Sequence, residues 1–163
     1  MKRVLPFLLI PTLSIAQPEI PSETAMDKHC LALNIYHEAR GEINDSLGNY
    51  SGSMENWLVV AMITRNRLDN SYYPDSWCRV VYDPFQYEWT RDHLPDEPDM
   101  TKKAEKEAWE EIEVFVEGFM ANHRYIKDPT EGSLDYAGCH VDNYWTRAYN
   151  LYKEFGAHCV YHR

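Results

Sequence analysis

Asn34-Ile35-Tyr36-His37-Glu38-Ala39-Arg40-Gly41-Glu42 is the stretch that decides how this chain is read. It closes an apolar-periodic segment, and stepping back from Glu38 by three, four and seven residues reaches Ile35, Asn34 and Leu31. Those positions share one face of a helix. The spacing therefore predicts a helix over 27–40, capped by Asp27 or Thr24, with an acid on its apolar side. A carboxyl placed there loses water. Its charged form is disfavoured, its pKa rises, and it can act as a general acid near neutral pH. A buried ion pair with Arg40, Arg65 or Arg67 is the competing role for the same side chain. Gly41 accepts positive φ and is the expected helix stop, which puts Glu38 in the last turn beside a loop. Glu42 would share its face if the helix continued, at a spacing suited to a retaining glycosidase. With Gly41 between them, a hydrogen-bonding role in the loop is the favoured reading of Glu42, and it stays a secondary acid candidate.

Working outward, residues 1–16 have the pattern of a secretory signal peptide. Lys2 and Arg3 precede an apolar run from Val4 to Leu13, and Ser14-Ile15-Ala16 precedes an expected cut at Gln17. The run is shorter than the roughly 20 residues of a membrane span, so no stable membrane insertion is expected once the leader is removed. Residues 17–26 are expected to be a flexible N-terminal segment, and residues 27–163 one domain, expected to be monomeric. The 163-residue chain has a formal charge of −10. That balance disfavours nucleic acid and anionic lipid as partners, since both need neutralising cations. Cys30, Cys78, Cys139 and Cys159 all follow the leader. An even count in an exported chain, periplasmic or extracellular, suggests two disulfides. Three pairings are open. The absence of a C-x-x-C spacing argues against zinc, and neither a metal nor another cofactor is expected.

Along the rest of the chain, 43–53 has no period and is expected to be a loop. Residues 54–68 predict a central helix, apolar all round from Trp57 to Ile63. Residues 69–100 carry prolines and aromatics and predict irregular or β pieces. Residues 101–123 predict a long helix on the spacing of Trp109, Ile112, Val116, Phe119 and Met120. Asp128-Pro129-Thr130-Glu131-Gly132 is a turn. A last helix over 143–155 is expected to end at Gly156. The fold class is mainly α, with a small irregular or β segment.

His37-Glu38 lacks the second histidine of a zinc-protease motif, since residue 41 is glycine. His37 is then expected on the surface. In 82–90, Tyr82, Phe85, Tyr87 and Trp89 alternate with Gln86 and Glu88. Rings with amides and acids between them suit a sugar, although such rings also form satellite cores. Glu88 is the other secondary acid candidate. Tyr136, His140 and His158 are weaker cases of the same kind.

Taken in order, these segments resemble the bacterial and phage cell wall hydrolase family that includes the spore cortex-lytic enzymes. The resemblance is carried by Leu31 to Glu42, Val59-Val60-Ala61-Met62-Ile63-Thr64-Arg65-Asn66-Arg67, Cys78-Arg79-Val80-Val81-Tyr82 leading to Gln86-Tyr87-Glu88-Trp89, Asp128 to Gly132, and Gly156-Ala157-His158-Cys159-Val160-Tyr161. It implies a lysozyme-like domain acting on peptidoglycan glycan strands, with Glu38 as catalytic acid. Lytic transglycosylation is the implied chemistry. Hydrolysis by a muramidase or glucosaminidase, or a non-catalytic wall-binding module, are the alternatives. Gln86, Trp89, Tyr136, His140 and Tyr36 are the implied substrate-binding residues, and Asn66 and Arg67 the implied scaffold. The chain departs from the family in a longer loop after Glu42 and in the acid at Glu88.

Overall fold

A computed structural model of the protein describes residues 24–41, 43–44 and 49–163. The leader and most of the expected flexible segment lie outside these residues, as does Glu42.

Helix α1 (Ala25–Ala39) starts at a capping box. The Thr24 hydroxyl accepts from the Asp27 N–H at 3.1 Å, and the Asp27 carboxylate accepts from the Thr24 N–H at 3.2 Å. The helix therefore begins two residues before the start expected at 27. Its end is set by close approach. Gly41 has φ +73°, and a Cβ there would fall 2.7 Å from the Gly52 nitrogen. A Cβ on Gly52 would in turn fall 2.5 Å from the Arg40 carbonyl oxygen. Only two glycines let these strands of chain touch, which brings the start of the next helix against the end of α1. Between them lies a short antiparallel pair, β1 (Ile43–Asn44) and β2 (Asn49–Tyr50).

Helix α2 (Met54–Leu68) runs over the span the sequence predicts and is buried along most of its length. Its Trp57 indole N–H donates to the Ala39 carbonyl at 3.2 Å, which satisfies one of the free carbonyls at the end of α1. Short α3 (Trp77–Val81) and a 3-10 turn (Trp89–Arg91) order the aromatic-rich segment. Helix α4 (Lys103–Asn122) buries Trp109, Ile112, Val116, Phe119 and Met120, as their spacing requires. Together α1, α2 and α4 enclose the main core.

The C-terminal region differs from the expected last helix. Only α5 (Tyr144–Ala148) is helical. The chain then runs as β4 (Asn150–Phe155), turns at Gly156-Ala157, and returns as β5 (His158–His162). Gly156, with φ +55°, makes a hairpin rather than a helix stop. The three- and four-residue aromatic spacing at Trp145, Tyr149 and Tyr152 imitates a helix, but tertiary pairing wins. Residues 158–161 are all buried, so β5 needs a ladder on both sides. It has β3 (Asp135–Gly138) on one side and β4 on the other, both antiparallel. The three-stranded sheet of this mainly α domain thus lies at the C-terminus, and the segment after the second helix is irregular, with only the short helical pieces given above. Disulfides join Cys30 to Cys78 and Cys139 to Cys159. The first ties α1 to α3, and the second ties the end of β3 to β5.

Candidate active site

Glu38 stands in the last turn of α1, half-buried, on the face of the fully buried Leu31, Asn34 and Ile35. Two neighbouring strands hold it. Tyr136 on β3 donates its hydroxyl to Glu38 Oε2 at 3.0 Å. His158 on β5 donates from Nε2 to the Glu38 carbonyl at 3.1 Å. A carbonyl only accepts, so this contact fixes the Nε2–H tautomer. The two rings meet edge to face at 5.1 Å. Register makes this possible: Tyr136 lies opposite Val160 and Gly138 opposite His158. One strand thus grips the acid's side chain, and the next grips its main chain.

Burial raises the Glu38 pKa above the ordinary carboxyl value. The Tyr136 hydrogen bond and the Arg67 charge pull it down, and the Glu88 charge adds to the rise. Burial wins because, among the described residues, one donor reaches the carboxylate. Burial also lowers the His158 pKa, against the pull of its hydrogen bond to Glu38, and so favours the neutral ring. Among the described residues no cation lies within ion-pair distance of Glu38. The three candidate arginines are engaged elsewhere. Arg40 lies 4.3 Å over the Tyr36 ring. Arg65 donates to the His123 carbonyl at 2.9 Å. Arg67, buried, donates to the Leu134 carbonyl at 2.9 Å and lies over the rings of Tyr87 and Tyr73 at 5.2 and 5.6 Å.

A buried polar network fixes the aromatic segment against this site. Thr64 donates its hydroxyl to the Val60 carbonyl at 2.8 Å, which leaves Oγ1 to accept from Asn34 Nδ2 and from the Tyr87 hydroxyl, each at 3.2 Å. The Trp89 indole N–H donates to Asn34 Oδ1 at 3.2 Å. Every polar group of this network is thereby met inside the core. Sequence reasoning missed Asn34 and Thr64. An amide on the apolar face of a helix, about two turns before the glycine stop at Gly41, was the available clue.

The other expected site residues divide. Trp89 and Tyr36 are buried side chains. Trp89 stacks on His37 at 4.4 Å, and the Tyr36 hydroxyl donates to Glu105 Oε2 at 2.9 Å. His37 is accordingly half-buried rather than on the surface. Its Nε2 donates to the Asp96 carbonyl at 2.8 Å, and burial lowers its pKa. Gln86 is half-buried in a turn, and Glu88 is exposed within electrostatic reach of Glu38. His140 is exposed beyond β3, its ring close enough to Gly138 that a Cβ there would meet Cε1 at 2.7 Å. Asn66 fills the scaffold role. Its amide nitrogen reaches Asp128 Oδ2 at 2.9 Å and the Ser133 carbonyl at 3.1 Å. Among the described residues no helix is long and apolar enough to cross a membrane, and no three His, Cys, Asp or Glu side chains cluster as metal ligands.

The cell wall hydrolase family matches residues 51–161 of the chain, a span that contains Tyr136, His158 and Gln86 and begins after Glu38. The crystal structure of the catalytic domain of the Bacillus cereus SleB protein is similar with a TM-score of 0.54 at 18% identity, covering 90% of this chain and 98% of that one. At that identity the likeness is one of fold. No curated protein matches the chain.

Proposed function

Because the chain belongs to the cell wall hydrolase family, we propose that it is a peptidoglycan-cleaving enzyme that cuts the glycan strand between N-acetylmuramic acid and N-acetylglucosamine, by lytic transglycosylation, with Glu38 as the one acid and base. The observation that carries this reading is the Glu38 carboxyl, raised in pKa by burial and held by Tyr136 and His158 from two adjacent strands.

A raised pKa keeps the carboxyl protonated nearer neutral pH. Protonated Glu38 gives its proton to the glycosidic oxygen as the bond from that oxygen to the muramic anomeric carbon breaks. The carboxylate so formed takes the proton of the muramic C6 hydroxyl while that oxygen bonds to the anomeric carbon. The product is a 1,6-anhydro ring, and Glu38 ends protonated as it began. The Tyr136 hydroxyl donates to the carboxylate and stabilises the intermediate charge. Gln86 and His140 are proposed to contact the glycan.

Hydrolysis is the second reading, and Glu88 favours it. It is an exposed acid whose charge acts on Glu38, and it could activate a water. Digestion of purified walls followed by fragment mass analysis separates the two. Anhydro ends lack one water relative to hydrolytic ends. Glu38→Gln should release neither product while remaining folded; full activity in that variant would end the assignment. The two disulfides are consistent with an exported protein.

A further inference from the structure

Asp83-Pro84-Phe85-Gln86 forms a turn closed by the Gln86 N–H, which donates to the Asp83 carbonyl at 3.2 Å. Phe85, third in the turn, has φ +71°. Proline holds the second position at negative φ. Negative φ followed by positive φ is a type II turn, which calls for glycine or asparagine at the third position. A bulky aromatic there is a steric outlier. The Phe85 ring is 78% exposed, so core burial does not offset the strain. The ring's neighbour is the Arg91 guanidinium, 4.5 Å from its centroid. Arg91 is itself exposed, and among the described residues it forms no ion pair, in a chain of net charge −10. The sequence has placed an outward ring where the backbone asks for glycine, and an unpaired cation beside it.

The location connects this pair to the acid. Glu88, whose charge acts on Glu38, is three residues from Phe85, a chain reach of roughly 10 Å. Tyr87 is turned inward to Thr64, so within this segment Phe85 faces solvent and Tyr87 faces the core.

We propose that Phe85 and Arg91 form a subsite for a peptide-bearing sugar of the glycan strand. The ring covers an apolar sugar face, and the guanidinium pairs with a carboxylate of the attached peptide. This rests on the peptidoglycan reading above. A guanidinium stacked over a ring uses its face, and its N–H edge remains available for a carboxylate fork.

The test is co-sedimentation with purified cell walls, either intact or with their carboxylates converted to amides by carbodiimide and ammonia. All variants carry Glu38→Gln so that the strand is not consumed. Phe85→Gly should melt no lower than its parent, because glycine fits the turn, and should bind both wall preparations about five- to ten-fold more weakly. Phe85→Tyr, which keeps the ring, should bind as the parent does. Arg91→Gln should weaken binding to intact walls and leave binding to amidated walls unchanged. The subsite is overturned if Phe85→Gly binds like its parent or melts lower, or if Arg91→Gln has no effect or weakens both preparations equally. If the Glu38→Gln parent sediments with neither preparation, the peptidoglycan reading falls and the subsite with it; if the parent binds and only the two side chains prove silent, the subsite alone falls.

Discussion

Glu38 and Asp128 are both carboxyls drawn partly out of water, and they titrate in opposite directions. Burial pushes each pKa up. At Asp128 that push is outweighed by donors: the Thr130 hydroxyl and N–H at 2.7 and 2.8 Å, Asn66 Nδ2 at 2.9 Å and the Gly132 N–H at 2.7 Å. Its pKa falls below the ordinary value. At Glu38 a single hydroxyl donates to the carboxylate, and the pKa rises. The difference is the number of donors aimed at the charge rather than burial itself. A loop that folds around its acid makes a structural carboxylate. A helix end that presents an acid to one tyrosine leaves a proton available for transfer.

The largest test of this contrast is to neutralise each acid. Glu38→Gln should lower wall-clearing activity by about 10²- to 10⁴-fold, the usual share of a general acid, while melting at or above the wild-type temperature. Asp128→Asn should do the reverse. It strips acceptors from a fully bonded turn and should lose about 2 kcal/mol, roughly 4–8 °C in melting temperature, with activity per folded molecule preserved. Calorimetry and turbidity assays on the same preparations read both. Equal loss of activity in the two variants would erase the distinction.

Next comes pH. The folded pKa of Asp128 is depressed, so its contribution to stability is complete above the unfolded value, about 3.9, and is lost as pH falls through the folded value below it. The stability gap between Asp128→Asn and wild type should therefore close in acid. The folded pKa of Glu38 is raised, so ionising it works against the fold. The advantage of Glu38→Gln should open as pH rises from the unfolded value, about 4.3, through the folded one. Over that same rise, kcat/KM on walls should fall as the proton is lost. Denaturant titrations across pH, compared with the rate profile, check the signs.

The smallest effect sharpens the rule directly. Tyr136→Phe removes the one donor to the Glu38 carboxylate among the described residues. The Glu38 pKa should move further up, and the alkaline limb of the rate profile should move with it, at a stability cost of about 1 kcal/mol. A limb that stays in place or moves down would mean that the hydroxyl is not what restrains the acid.

Much of this was legible in the chain. The i, i+3, i+4 and i+7 relations of Glu38 hold because a helix repeats whatever lies beyond it. Likewise α2 and α4 follow their apolar periods to within two residues. The C-terminal hairpin was not legible. Trp145, Tyr149 and Tyr152 fit a helical stripe, and only the pairing of β4 with the buried β5 shows that part of this stretch is a strand. In 82–90, alternation in the sequence does not say which ring turns inward. Asn34 and Thr64 draw in Trp89 and Tyr87, and a turn with positive φ sends Phe85 out.

The sequence alone determined a mainly α domain, an acid on the apolar face of its first helix, and four cysteines suited to two bridges, because local periodicity and residue chemistry need no distant partner. Tertiary structure decided which cysteines pair, which aromatics face solvent, and how strongly Glu38 holds its proton. Those depend on Tyr136 and His158, 98 and 120 residues further along the chain, and a contact across that separation exists only once β3 and β5 lie side by side against the end of α1.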